Sequence, residues 1–136
     1  MTNEEIEIAR SFVACKGWRW LPGMLGVSAT GGVWRVEQAD LTALGGAGLG
    51  PASIHEAGTW FPDINDPCTR GGILQLVRDA TGDPDLHVRC IRPYVPSYTE
   101  SSPWAVHSGR GQRLTERHHT EAEALLQVLQ AASEAP

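Results

Sequence analysis

Hydrophobic positions recur along this chain at helical intervals in three stretches, and between them the pattern shortens to strict alternation. Thr2 and Glu5 stand at capping-box spacing, and Ile6, Ala9, Phe12 and Val13 follow three and four residues apart. That spacing predicts a first helix over Glu4–Cys15, closed near Gly17. A second helix is expected over Pro67–Ala80. Asp66 suits its N-cap, Pro67 its first position, and Gly82 its end, with Ile73, Leu76, Val77 and Ala80 as the buried stripe. Thr120 and Glu123 form another capping box, with Leu125, Leu126 and Leu129 behind it, which predicts a third helix over Glu121–Ala132.

Alternation dominates elsewhere. "MLGVS" and "VWRVE" flank the turn "ATGG", so residues 24 to 37 read as a hairpin. Three more strands are expected over Leu86–Arg92, Pro103–Ser108 and Gln112–His118, the last two joined by the glycine turn "GRG". Asp40 to Asp66 reads as one long loop. The elements together predict a single α+β domain over residues 1–136: an antiparallel sheet packed with two main helices plus the N-terminal one.

The alternation also sorts side chains by face. Leu86, Val88 and Cys90 share one side of their strand and His87 and Arg89 the other; Trp104 and Val106 oppose Ala105 and His107; Leu114 opposes Arg113, Thr115 and Arg117. With helices on the apolar side, the other side gathers His87, Arg89, His107, Arg113 and Arg117. Such a face either meets water or holds an anion.

Charge sharpens that choice. The 136-residue chain carries a net −5, which disfavours duplex nucleic acid as a partner. Leu86 to His119 nevertheless holds five arginines, four histidines and only two acids, Glu100 and Glu116, so this segment is +3 and the remainder −8. Arginine is the forked donor suited to phosphate and carboxylate. No apolar run approaches the ~20 residues of a membrane span. The acidic N-terminus is unlike a signal peptide, which points to the cytoplasm. Cys15, Cys68 and Cys90 lack the paired spacing of a disulfide scaffold or zinc knuckle. No cofactor motif is present: "GGAGLG" has Pro51 where a dinucleotide fingerprint needs its last glycine. No nucleophile–base pair and no metal constellation stands out, so a catalytic role has no positive support and no metal is expected.

The first turn of the second helix is unusual in holding Thr69, Arg70, Gly71 and Gly72. Glycine there costs roughly 1 kcal/mol against alanine, and a cation opposes the helix dipole. Exposed N–H groups beside an arginine suit phosphate. The alternative is that the glycines admit a close neighbour while Arg70 extends to solvent.

Three stretches together, "GWRWLPGM" at Gly17–Met24, "DPCTRGGILQLVRDATGDPDLHVR" at Asp66–Arg89 and "TEAEALLQVLQAA" at Thr120–Ala132, resemble a widespread group of small proteins encoded by tailed phages and prophages. Gly71 fits the group; Arg70 and Gly72 depart from it, where leucine and cysteine are more usual. The layout is also similar to phage anti-defence sponge proteins. That resemblance implies an oligomer that sequesters a cyclic ADP-ribose isomer or cyclic oligonucleotide without cleaving it. The expected ligand contacts are Arg70 and Gly71 for phosphate, Arg89, His107, Arg113 and Arg117 around the charge, and Tyr94, Tyr98 or Trp104 stacking on a base. Five tryptophans favour a homo-oligomer. The alternatives are a protein that occludes a host defence protein through its acidic surface and, third, a nucleotide phosphodiesterase.

Overall fold

A computed structural model describes residues 1–37, 60–90 and 103–134. Contacts divide the chain into two compact units, Met1–Ile73 and Leu74–Pro136. The class is α+β: the described residues form three helices and two small antiparallel sheets in place of one.

The first unit opens with α1, Asn3–Val13. Its capping box is complete: Thr2 N–H donates to Glu5 Oε2 at 2.7 Å and Glu5 N–H to Thr2 Oγ1 at 3.2 Å. The helix stops two residues short of Cys15, because Cys15 N–H bonds the Phe12 carbonyl in a tightened last turn. Ala9 and Phe12 are buried, and α1 packs on β3, where Arg10 lies over the Phe61 ring at 5.6 Å.

β1, Leu25–Ser28, and β2, Val33–Arg35, form the expected hairpin. Its turn depends on Gly31, whose φ of 88° a side chain would oppose. β3, Trp60–Pro62, pairs with β1 from the other side and falls inside the segment that reads as loop. All three of its residues are buried, so it has no period-two signature, and Pro62 argues against a strand. Trp20 and Trp60 are buried and pack around Gly26. Trp18 meets Trp20 edge-on at 5.4 Å. Much of the aromatic area that favours an oligomer is therefore used inside this unit.

α2, Pro67–Thr81, begins in the first unit and ends in the second. Thr69, Ile73, Leu76 and Val77 are buried, while Ala80, expected in the stripe, is exposed. Gly82, at φ 70°, ends the helix as expected.

The two glycines of α2 have different reasons. A Cβ on Gly72 would lie 2.6 Å from Met24 Cε and 3.1 Å from its Cγ, and Met24 is fully buried. Gly72 therefore admits the methionine. A Cβ on Gly71 meets nothing within 4 Å. We expect Gly71→Ala to raise stability by up to about 1 kcal/mol through helix propensity. Gly72→Ala should lower it by about 1 kcal/mol, overpacking outweighing the same gain. Urea midpoints of the two variants check the pair; equal shifts would contradict it.

In the second unit, β4, His87–Cys90, pairs with β5, Trp104–His107. α3, Glu121–Glu134, packs on both and buries Ala122, Ala124, Leu125, Val128 and Leu129. Leu76, Val77, Leu86, Ala105 and Val106 complete this core.

The third strand expected here is replaced by two isolated bridges, His107 with Arg113 and Trp104 with His118. Leu114 N–H bonds Val106 O, while His118 pairs with Trp104, so four residues answer two on β5. Thr115 fills the gap with its side chain, its Oγ1 accepting from Val106 N–H at 3.0 Å and donating to Glu116 O at 2.8 Å. The alternation assigned to Gln112–His118 is broken at that bulge. Thr115 is buried and Leu114 is 44% exposed, the reverse of what Leu114's apolar character suggests.

Candidate functional site

At the N-terminus of α2 an anion is already in place. Asp66 Oδ2 accepts from Thr69 N–H at 2.9 Å and from Thr69 Oγ1 at 3.0 Å. Thr69, fully buried, in turn accepts from Leu25 N–H at 2.8 Å. Arg35 reaches the same carboxylate through two nitrogens, at 2.8 and 3.0 Å, and also donates to Gly23 O. Arg35 first, and Thr69 after it, lower the Asp66 carboxyl to about 2 against burial, which pushes it up. Pro67 brings no N–H, Thr69's goes to Asp66, and Arg70's bonds the Asp66 carbonyl. The helical ladder takes those of Gly71 and Gly72. Cys68 supplies the remaining amide of the turn.

A different cluster forms on β4 and β5. Directly opposed residues share a face, and the register sets His87 against His107 and Arg89 against Ala105. The two imidazoles stack, 5.9 Å apart and 19° from parallel. Arg89 Nε donates to His87 Nε2 at 3.1 Å, and His87 Nδ1 lies 3.0 Å from the Asp85 carbonyl. A carbonyl only accepts, so Nδ1 carries the hydrogen and Nε2 is the bare acceptor. Arg113 joins through its bridge to His107.

Exposure falls steeply across this cluster. Arg89 and Arg113 are exposed, His87 is half-buried, and His107 is only 6% exposed. Among the described residues, His107 Nδ1 is buried without a hydrogen-bond partner. Burial, then Arg89, hold His107 below the ordinary histidine range; the Ala105 carbonyl opposes them, and His87 and Arg113 add to the depression. The Ala105 carbonyl acts on the ring without completing a hydrogen bond at Nδ1, so this buried nitrogen is poorly satisfied.

Asp83 pins the hairpin beneath the cluster. Its carboxylate accepts from Gly109 N–H at 2.8 Å and from Asp85 N–H at 3.1 Å. The Gly109 amide is the main cause of its lowered pKa. This bond ties the entry of β4 to the exit of β5, where His87 and His107 face each other.

The structure thus brings Arg89, His107 and Arg113 together with His87, which alternation places on the same face. Trp104 is half-buried at the far end of β5, opposite Cys90. Arg117 lies past the bulge and is not aligned with Arg113 by alternation. Arg70 and Gly71 belong to the first unit and the others to the second. Tyr94 and Tyr98 lie outside the described residues. Sequence reasoning missed the Asp66–Arg35 pair, whose partners stand 31 residues apart with no local signal.

His118 Nε2 is 2.6 Å from Gln127 Oε1, and its Nδ1 is 3.9 Å from Glu123. Among the described residues no three His, Cys, Asp or Glu side chains converge as a metal site, and no helix is long and apolar enough to cross a membrane. A cavity of about 440 Å³ in the second unit is lined by residues of which none is charged, including Leu114, Val128 and Ala131.

The chain matches no protein family, no curated protein and no solved structure.

Proposed function

We propose that this chain binds and sequesters a small anionic, nucleotide-like ligand without cleaving it, and that His87, Arg89, His107 and Arg113 form the binding face. One observation carries the reading: a buried histidine with a partnerless Nδ1 sits among two arginines and a second histidine. No acid is among the described groups acting on it. The two guanidiniums that act on that ring repel one another, and an anion between them would relieve that repulsion. Phosphate suits the two arginines, which donate from forked guanidiniums. Trp104, expected to stack on a base, lies on β5 but alternates to the face opposite His107.

The resemblance to small phage proteins supplies the wider proposal: a phage-encoded homo-oligomer acting on an alarm nucleotide in the host cytoplasm. Arg70 and Gly71 remain candidates for a separate phosphate contact in the first unit. Since Asp66 already caps that helix, we expect Arg70→Ala to change affinity less than Arg89→Ala does. Calorimetric titration of both variants with cyclic ADP-ribose isomers and cyclic dinucleotides checks the order. Heat denaturation after incubation should return the ligand intact; accumulation of a product over many turnovers would overturn sequestration. Sedimentation showing only monomer at micromolar concentration would overturn the oligomer.

A further inference from the structure

Resting on the binding reading above, we infer that the His87–His107 pair couples anion binding to the uptake of a proton from solvent. The hydrogen bonds made without ligand require the His87 ring to be neutral. His87 donates from Nδ1 to the Asp85 carbonyl and accepts the Arg89 Nε–H on Nε2, so both nitrogens are committed. A proton on Nε2 would set donor against donor and release Arg89. His107 stacks on that ring at 5.9 Å, so two imidazolium rings would add repulsion to the nearby guanidiniums.

An anion reverses each of these conditions. It draws Arg89 off His87 Nε2, neutralises Arg89 and Arg113, and offers an acceptor to a newly protonated ring. The His87 Nε2 lone pair then takes the proton and donates it in a hydrogen bond to the anion. The charged and titratable groups acting on His107 are Arg89 and His87 from β4 and Arg113 from the segment after β5. Near His87 are Arg89, His107 and Asp83. α3 brings Glu123, which is engaged with Thr120 and His118 instead. Because ligand and proton each favour the other's binding, affinity should rise as pH falls through the histidine range.

The test uses the whole chain with sulfate and, separately, a cyclic dinucleotide, neither of which titrates between about pH 5.5 and 7.5. Affinity for each should be about tenfold higher at the lower pH, the equivalent of one pKa unit. Histidine-ring NMR should show the His87 and His107 titrations moving to higher pH when sulfate is added. His87→Gln, which keeps a donor for Asp85 and an acceptor for Arg89, should flatten the pH slope by about one proton. Binding that is independent of pH, with unmoved ring titrations, would overturn the coupling and leave the anion site standing. A full slope surviving in His87→Gln would also overturn it. Absence of binding at every pH would overturn both readings.

Discussion

Asp66→Ala should lower the free energy of unfolding by about 2–3 kcal/mol. Loss of an N-cap costs roughly 1–2 kcal/mol. The Thr69 hydroxyl, fully buried, also loses the Asp66 carboxylate as acceptor while still accepting from Leu25 N–H, which adds about 1 kcal/mol. Arg35 is 44% exposed and can turn to water, so its side of the ion pair adds little. Asp66→Asn keeps the capping oxygen and should lose markedly less. The same carboxylate sets an acid limb. Its folded pKa, about 2, lies below its ordinary value of 3.8. The unfolded chain therefore binds the proton first, and stability is full above the ordinary value and is lost as pH falls through the folded one. His107 has the same sign at higher pH, since its folded value is also depressed. Its contribution is complete above 6.5 and declines as pH falls toward its folded value. Urea unfolding of wild type and Asp66→Ala, compared between neutral pH and about pH 3, checks the size and the sign.

Helices were the legible part of this chain because caps and apolar spacing are local. Thr2, Asp66 and Thr120 stand where the helices begin, and Gly82 ends the second. Strand faces were legible only where the ladder is regular: the β4–β5 register sets His87, Arg89 and His107 together, as alternation implies. Two extra residues between Leu114 and His118 defeat that logic, because a side-chain oxygen on Thr115 replaces a main-chain partner. β3 was hidden because burial on all sides erases its periodicity. The glycines of α2 gave a correct signal of something special, but Gly72 answers to Met24, a contact between residues 48 positions apart. The depth of His107 was equally invisible. Sequence places it on a polar face, whereas β5 is buried on both sides.

Arg89→Glu should reduce affinity for the proposed nucleotide-like ligand by about a hundredfold. Removing a hydrogen bond from a charged donor loses about 1.5–3 kcal/mol, tenfold or more, and a carboxylate in its place repels the anion. Arg89→Ala should fall about tenfold by the first effect alone. Arg89 is exposed, so circular dichroism and urea midpoints should show both variants folded. Unchanged affinity in Arg89→Glu would remove the β4–β5 face from the site, whatever else binds.

The most direct measurement is NMR titration of the whole chain with a cyclic dinucleotide, following the ring signals of its five histidines. Saturable shifts are expected at His87 and His107, sharing one dissociation constant, while His118, held by Gln127, stays in place. Shifts confined to His118 or His119, or rings that do not move while calorimetry reports binding, would contradict this placement of the site.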